Sequence, residues 1–434
     1  CGGAVADLGT RLRGLVADTR PLQTPAFSRI FYANIVTVIG AQLTVVAVPA
    51  QIFAITQSSA YVGLTGLFGL VPLVVFGLYG VALADHMNRR TLLILTTVGI
   101  IATSAAFFVQ AALALNNVWV LLTIFALQQT FFAINQPARS SILPKLLPLD
   151  QLPAAQALSM TVMSFGAIAG PLVGGALIPV LGFSVLYLID ALCLFATLYA
   201  VVKLPSLPVD NPVGSPGLRS VLDGFAYLRG RTVLLMSFVV DLIAMIFGMA
   251  RALFPQIAHE TFGGPPEGGT AFALLYAAMP AGVLLGGVFS GWVARVRRTG
   301  RAVIWAILVW GAAMAVFGLA VGLAAPGFLV PMLLLALVAQ VVGGAADMAS
   351  SAFRNAILLG AAEDSVRGRL QGIFIVVVAG GPRIADVLHG FAADAVGPAW
   401  AAGGGGVLVI LLLLIVTAAA PAFGRFRLGD APED

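Results

Sequence analysis

The sequence predicts an all-α membrane protein of about twelve spanning helices, built as two six-helix pseudo-repeats with both termini in the cytoplasm. Three observations carry that expectation. Apolar runs long enough to cross a bilayer recur from end to end. Basic residues are confined to alternate loops. Landmarks in the first half return in the second at an offset of about 210 residues.

The chain of 434 residues is 60% hydrophobic and only 9% charged, with a mean hydropathy of +1.02. A soluble chain of that length needs far more polar surface. Runs of about 20 apolar residues match the thickness of hydrocarbon. In the first half they fall at Ile30–Ile55, Tyr61–Ala84, Thr91–Leu115, Trp119–Ala138, Ala155–Leu181 and Phe183–Val202. In the second they fall at Val233–Ala258, Ala271–Val296, Ala302–Leu323, Phe328–Ala349, Leu370–Val396 and Trp400–Ala420. A β-barrel would show short alternating segments instead.

The remaining segments divide the chain. Residues 1–29 form a cytoplasmic segment in which Leu8, Leu12 and Leu15, with Arg11 and Arg13, predict a short amphipathic surface helix. Residues 30–203 form the first bundle, and 204–232 a cytoplasmic linker. Pro205, Pro208, Pro212 and Pro216 oppose a helix at the linker's start. Leu218, Val221, Leu222, Phe225 and Leu228 then recur at helical spacing. Residues 233–420 form the second bundle and 421–434 a tail. Cys193 reads as a small packing residue, and the first span serves as the targeting signal.

All but two of the 23 Lys and Arg residues lie in clusters at the N-terminus, at every second loop and at the C-terminus. The cluster before the eleventh span runs from Arg354 to Arg369. The positive-inside rule then places both ends in the cytoplasm. The pI of about 9.6 follows from this bias and does not point to nucleic acid. Arg251 and Arg383 are the two that fall inside apolar runs, where a charge is expensive and marks function.

Repetition links the halves. Asp85 maps to Arg295, Ser140-Ser141 to Ser350-Ser351, and Gly170-Pro171 to Gly381-Pro382. The loop Gly80-Val-Ala-Leu-Ala-Asp85-His-Met-Asn88-Arg89-Arg90 resembles the cytoplasmic loop signature of the major facilitator superfamily, with Val81 and Asn88 at positions where glycine is usual. Asn tolerates the left-handed conformation that such a turn uses. The resemblance implies a charge latch in which Asp85, Arg89 and Arg90 meet Arg367 and Arg369 when that side closes. Gly166, Gly170, Pro171, Gly174 and Gly175 resemble the exporter motif of the fifth span in antiporters of this superfamily. Gly166, Gly170 and Gly174 lie one turn apart on one face and permit close helix approach. The eighth span, with Gly282/Gly286 and Gly287/Gly291, is the expected partner.

The match is closer than superfamily level. Thr24-Pro-Ala-Phe, Val46-Ala-Val-Pro-Ala-Gln51-Ile, Ala250-Arg251-Ala-Leu-Phe-Pro255, Leu275-Tyr-Ala-Ala-Met-Pro280 and Arg367-Gly-Arg369-Leu-Gln-Gly372 resemble the branch that contains enterobactin exporters and drug:proton antiporters. The resemblance implies efflux driven by the proton gradient, of a siderophore or of amphipathic drugs. It also implies that spans one, four, seven and ten line the cavity. The candidate coupling and substrate residues are therefore Asp241, Arg251, Asp347, Arg383 and Asp386. Asn34, Gln42, Gln51, Gln128 and Gln129 are the candidate polar groups of the first-half cavity wall. Asp241 and Arg251 share a helical face about 15 Å apart along the axis. Arg383 and Asp386, three apart, are placed to pair locally. Asp190, on a peripheral span, reads as a structural hydrogen-bond partner. The arginine that many proton antiporters of the superfamily keep within span four is absent, since Arg139 comes only at its cytoplasmic end.

The expected function is secondary active export by alternating access, coupled to protons, across a bacterial inner membrane. A buried carboxylate that takes up a proton, and releases it when Arg251 or Arg383 approaches, would link protonation to the swing between states. The partners are a small amphipathic substrate, protons and the lipid bilayer; nucleic acid is not among them, and the chain is expected to be a monomer. No metal-ligand spacing, nucleotide loop or Ser-His-Asp pattern occurs, so no cofactor, metal or enzymatic activity is expected. An importer or lipid flippase on the same fold stays open, as does a non-transporting receptor.

Overall fold

The computed structural model describes residues 18–205, 227–228, 230–361 and 364–427. The amphipathic helices expected before span one and in the linker fall almost wholly outside these residues. Among the described residues every long element is a helix and there is no strand. In chain order the spans are α1 (Pro25–Thr56), α2 (Ser59–His86), α3 (Arg89–Ala112) and α4 (Val118–Ser140). The helix Leu152–Val202 breaks at Gly182, where φ 75° and ψ 167° suit only glycine. That break, at the boundary between two apolar runs, divides it into α5 (152–181) and α6 (183–202). The second half holds α7 (Thr232–Thr261), α8 (Thr270–Val288), α9 (Thr299–Gly322), α10 (Leu329–Ala361), α11 (Asp364–Val396) and α12 (Pro398–Ala419).

Capping explains the sharp turns. Asn88 accepts from the Arg90 N–H at 3.0 Å and starts α3. Its φ of −57° is ordinary, so the left-handed turn expected there does not form. Asn117 starts α4 in the same way, accepting from Trp119 N at 2.9 Å. Span seven departs from a continuous helix. It leaves helical geometry after Gly248 and resumes as a 3-10 turn at Arg251–Leu253. Pro255 supplies the reason: in an unbroken helix its ring would collide with the Arg251 carbonyl. α10 runs twelve residues beyond the apolar stretch ending at Ala349, and so carries Arg354 inside the bundle rather than in a basic loop.

Equivalent helices of the two halves make equivalent contacts. α2 packs on α4 as α8 packs on α10, and α3 on α4 as α9 on α10. α5 meets α1 where a Cβ on Gly170 would lie 2.2 Å from Gln42 Cβ. α11 meets α7 where one on Gly381 would lie 2.9 Å from Met245 Cβ. The Gly-Pro repeat therefore performs one packing task twice. The glycine face of α5 is spent on α1 within its own half, and Gly282 and Gly286 of α8 are spent on α10. Of the α5 motif glycines, Gly175 faces the other half, against Ala273 of α8, with the Gly269 N–H donating to its carbonyl at 3.0 Å.

The halves join through α5–α8 and α2–α11. Both seams lie away from the face that carries the start of α1 and the end of α12, termed here the terminal face. On the α2–α11 seam, a Cβ at Gly63 would sit 2.4 Å from the Asp386 carbonyl, and one at Gly390 would sit 2.5 Å from the Ser59 carbonyl. A buried apolar cluster spans both halves at this end, including Phe53, Leu253, Ile257 and Phe272. Toward the terminal face, Gly77 of α2 and Gly287 of α8 meet no described neighbour within 4 Å. The molecule is closed opposite the terminal face and cleft toward it.

Gly63→Val is expected to hold α2 and α11 apart. The protein should still insert, while a cysteine pair placed across the seam should lose most of its cross-linking. Cross-linking yield in membranes checks this.

Candidate functional site

The cleft between the halves is lined by α1, α5, α7, α8 and α10, and holds about 700 Å³ counting the space that runs out to solvent. Its wall is mostly apolar, with Val45, Ala167, Pro171, Met249, Phe254 and Met279. Four polar side chains enter it: Gln42 from α1, Arg251 from the broken part of α7, Tyr276 from α8 and Gln340 from α10. Such a surface suits a ligand with an apolar body and few polar groups.

Arg251 is the charged group of this wall. The break in α7 turns it toward α11, where its Nε donates to Asp386 Oδ1 at 3.0 Å and its Nη2 to Oδ2 at 2.7 Å. This is a bidentate guanidinium–carboxylate pair. The Arg251 side chain is 43% exposed and that of Asp386 only 5%, so the acid lies beneath and the cation faces the cleft. Asp386 does not pair with Arg383 on its own helix as the three-residue spacing predicts. Arg383 instead donates to the Ala379 carbonyl at 2.8 Å and, across the halves, to Gln129 Oε1 of α4 at 3.1 Å. A Cβ on Gly69 of α2 would lie 3.0 Å from its Nε, so it is pinned beside α2. The junction of α4, α7 and α11 thus holds two guanidiniums and one carboxylate.

The other acids part company. Asp241 does not face the cleft; it is buried in an ion pair with Arg354 of α10. That pair accounts for the length of α10, because each charge offsets the burial of the other. Asp347 is half-buried on α10 and has no hydrogen bond or ion pair among the described residues. Its spacing of seven from both Gln340 and Arg354 sets it on one helical stripe between the cleft and the buried pair.

The first half contributes less to the cleft than its amides suggest. Gln42 and Gln129 reach the cleft and the junction. Gln51 is buried, exchanging hydrogen bonds with Gln110 of α3 at 3.0 and 3.3 Å and accepting from the Tyr187 hydroxyl at 2.8 Å. Gln128 donates to Ser104 Oγ at 3.1 Å. Asn34 is buried and accepts from Arg139. These groups are held inside the bundle because α1, α3, α4 and α6 leave no other partner for them. Asp190 shares Ser104 with Gln128, accepting from Thr44 Oγ1 at 2.7 Å and Ser104 Oγ at 2.9 Å.

At the closed end an acid of α11 ties the two halves. Asp394 of α11 accepts from Ser58 Oγ at 2.5 Å and from the Ser59 N–H at 3.1 Å. It caps the start of α2 from the opposite repeat. Beside it Ser59 Oγ donates to Gln256 Oε1 at 2.7 Å, and Gln256 donates to Glu260 at 2.9 Å. Sequence reasoning missed Asp394 and Tyr276. Asp394 sits eight residues after Asp386, two helical turns along the same apolar span, and that spacing was the available signal. On the terminal face, the side chains of Asp85, Arg367 and Arg369 lie outside the described residues. Arg89 donates to the Ser141 carbonyl at 3.4 Å and Arg90 to that of Val202 at 2.7 Å, so in this state both bind helix ends of their own half.

Comparisons with known proteins agree with this geometry. A family model described as transmembrane secretion effector matches residues 16–426. The enterobactin exporter EntS of Shigella boydii serotype 18 is 29% identical over 376 residues, covering 84% of this chain and 85% of the relative. EntS of Escherichia coli O139:H28 is 28% identical over the same length. Among solved structures, a transporter of the POT family bound to 5-aminolevulinic acid superposes with a TM-score of 0.71 at 14% identity, covering 92% of this chain and 97% of that one. A bacterial homolog of the human lysosomal transporter Spinster, inward-facing and unoccupied, gives 0.67 at 15% identity, covering 94% and 97%. At these identities the structures show the fold.

Asp394→Ala is expected to remove the cap, at a cost of about 1 kcal/mol. That is about fivefold in the ratio of closed to open seam. A cysteine at the buried position Val62 should then react correspondingly faster with an impermeant maleimide, which a labelling time course checks.

Proposed function

Since the chain belongs to the transmembrane secretion effector family of the major facilitator superfamily, a family of multi-pass membrane transporters, we propose that it exports amphipathic small molecules by proton antiport. The cleft is the observation that carries this reading. It is apolar, open toward the terminal face and closed opposite, with Arg251 presented to it. The basic loops support a terminal face on the cytoplasmic side of a bacterial inner membrane. A substrate then enters from the cytoplasm or inner leaflet and leaves when the Asp394 cap and the two seams part.

The relatives named as enterobactin exporters support export over import. The cleft chemistry narrows the cargo. Two guanidiniums against one carboxylate leave one positive charge at the junction of α4, α7 and α11, so the preferred substrate carries anionic or strongly accepting groups on an apolar body. A siderophore of that chemistry fits better than a cationic drug. Tyr276, Gln42 and Gln340 supply the neutral hydrogen bonds.

Coupling falls to Asp347. Asp386 and Asp241 are each held by an arginine, whereas a carboxylate free of ion pairs accepts and releases a proton without first breaking one. Protonation neutralises it when α10 moves toward an apolar setting, and deprotonation on the cytoplasmic side resets it.

Inverted membrane vesicles with an acidic interior should accumulate a catecholate siderophore, and collapse of the pH gradient should stop accumulation. Asp347→Asn should leave substrate exchange within about twofold of the parent while reducing gradient-driven accumulation at least about tenfold. Full gradient-driven accumulation in Asp347→Asn would assign the proton to another group, and accumulation in right-side-out vesicles instead would make the protein an importer.

A further inference from the structure

The first bundle contains a second cavity, separate from the cleft between the halves. It lies at the terminal face among the ends of α1, α3, α4, α5 and α6, and holds about 700 Å³ counting its open side. Phe27, Phe31, Leu93, Ile142 and Leu146 are among the apolar residues of its wall. One charged side chain lines it, Arg139 of α4, together with Asn34, Thr97 and Asn135.

The charge balance there differs from that of the two paired intramembrane arginines and resembles that of Arg383, which bonds only neutral acceptors. Arg251 has Asp386 and Arg354 has Asp241. Arg139 donates to the neutral Asn34 Oδ1 and has no carboxylate within ion-pair distance among the described residues. No acid lines the cavity. The nearby Arg29 and Arg90, which bond the Lys203 and Val202 carbonyls at the end of α6 at 3.2 and 2.7 Å, add like charge rather than a counter-ion. A guanidinium in an apolar recess with one neutral partner leaves several N–H groups and a full charge to be compensated.

The geometry points to a binding site for an anionic amphiphile in this cavity, with its phosphate or carboxylate on Arg139 and its apolar body against Phe27, Phe31 and Leu146. The head group takes the free guanidinium edge as a charge-assisted pair, and Asn135 and Thr97 are within the same wall to complete its hydrogen bonds. The site opens at the level of the membrane surface, where anionic phospholipids and soluble amphiphilic anions both reach it. It does not depend on the direction or coupling of transport through the central cleft.

The test uses the full chain in phosphatidylcholine nanodiscs, photolabelled with a diazirine fatty acid and mapped by peptide mass spectrometry. Label is expected on peptides carrying Phe31 or Leu146, at least about tenfold above that from the corresponding methyl ester. Arg139→Gln should abolish it and Arg139→Lys retain part of it. Ala200→Phe, which keeps the guanidinium and fills the cavity, should abolish it too, so the result does not rest on one variant. Arg251→Gln should leave labelling at this site unchanged. Suppression by added phosphatidylglycerol identifies the occupant as a lipid, and persistence in its presence identifies a soluble amphiphile. Equal labelling by acid and ester, or labelling indifferent to both Arg139→Gln and Ala200→Phe, overturns the proposal.

Discussion

A guanidinium within an apolar bundle is costly without an anion, and the pairing of Arg251 with Asp386 organises the rest of the second half. The pair requires α7 to leave helical geometry before Arg251, and Pro255 sets the place. It holds the broken segment of α7 against α11, and α11 in turn forms the seam with α2. Because the acid lies beneath and the cation faces the cleft, one interaction fixes the backbone path, the seam and the charge of the wall.

The molecule treats its buried charges in three ways. Asp241 and Arg354 are sealed together and serve packing. Arg251 and Asp386 are joined at the cleft, where the arginine remains accessible. Asp190, Arg383, Asp347 and Arg139 have no counter-ion among the described residues: the first two are each held by two neutral partners, and the last two, with none and one, are the positions where an external proton or anion has most to offer. The first half stabilises itself differently, through a network of neutral amides and hydroxyls around Asp190. Neutral networks tolerate rigid-body motion because they move with their bundle. The polar ties between the halves among the described residues include Asp394 on the start of α2, Ser59 on Gln256 and Arg383 on Gln129, beside the two glycine seams.

Much of this was legible in the sequence. The apolar runs located the spans, including the break at Gly182 that separates α5 from α6 in one continuous hydrophobic stretch. The Gly-Pro repeat marked equivalent helix contacts in both halves, and Arg251 was recognisable as a charge where none should be. The pairings were not legible. Local spacing favours Arg383 with Asp386, yet the partner of Asp386 lies 135 residues away, and only the path of the broken helix brings it there. Arg354 reads as a loop cation until its acid on α7 is known. Gln51 and Asn34 look like cavity amides because periodicity does not say which side of a helix within a bundle faces a neighbour. The terminal-face latch depends on the side chains of Asp85, Arg367 and Arg369, which lie outside the described residues.

The most direct measurement is a charge-swap cycle at the organising pair, read as transport in proteoliposomes. Arg251→Asp and Asp386→Arg each place two like charges together and are expected to abolish transport. The double variant restores the pair in reverse and should recover at least about a tenth of the parental rate, giving a favourable coupling between the positions. Single variants that each retain transport, or a double variant no better than either single, would contradict the account.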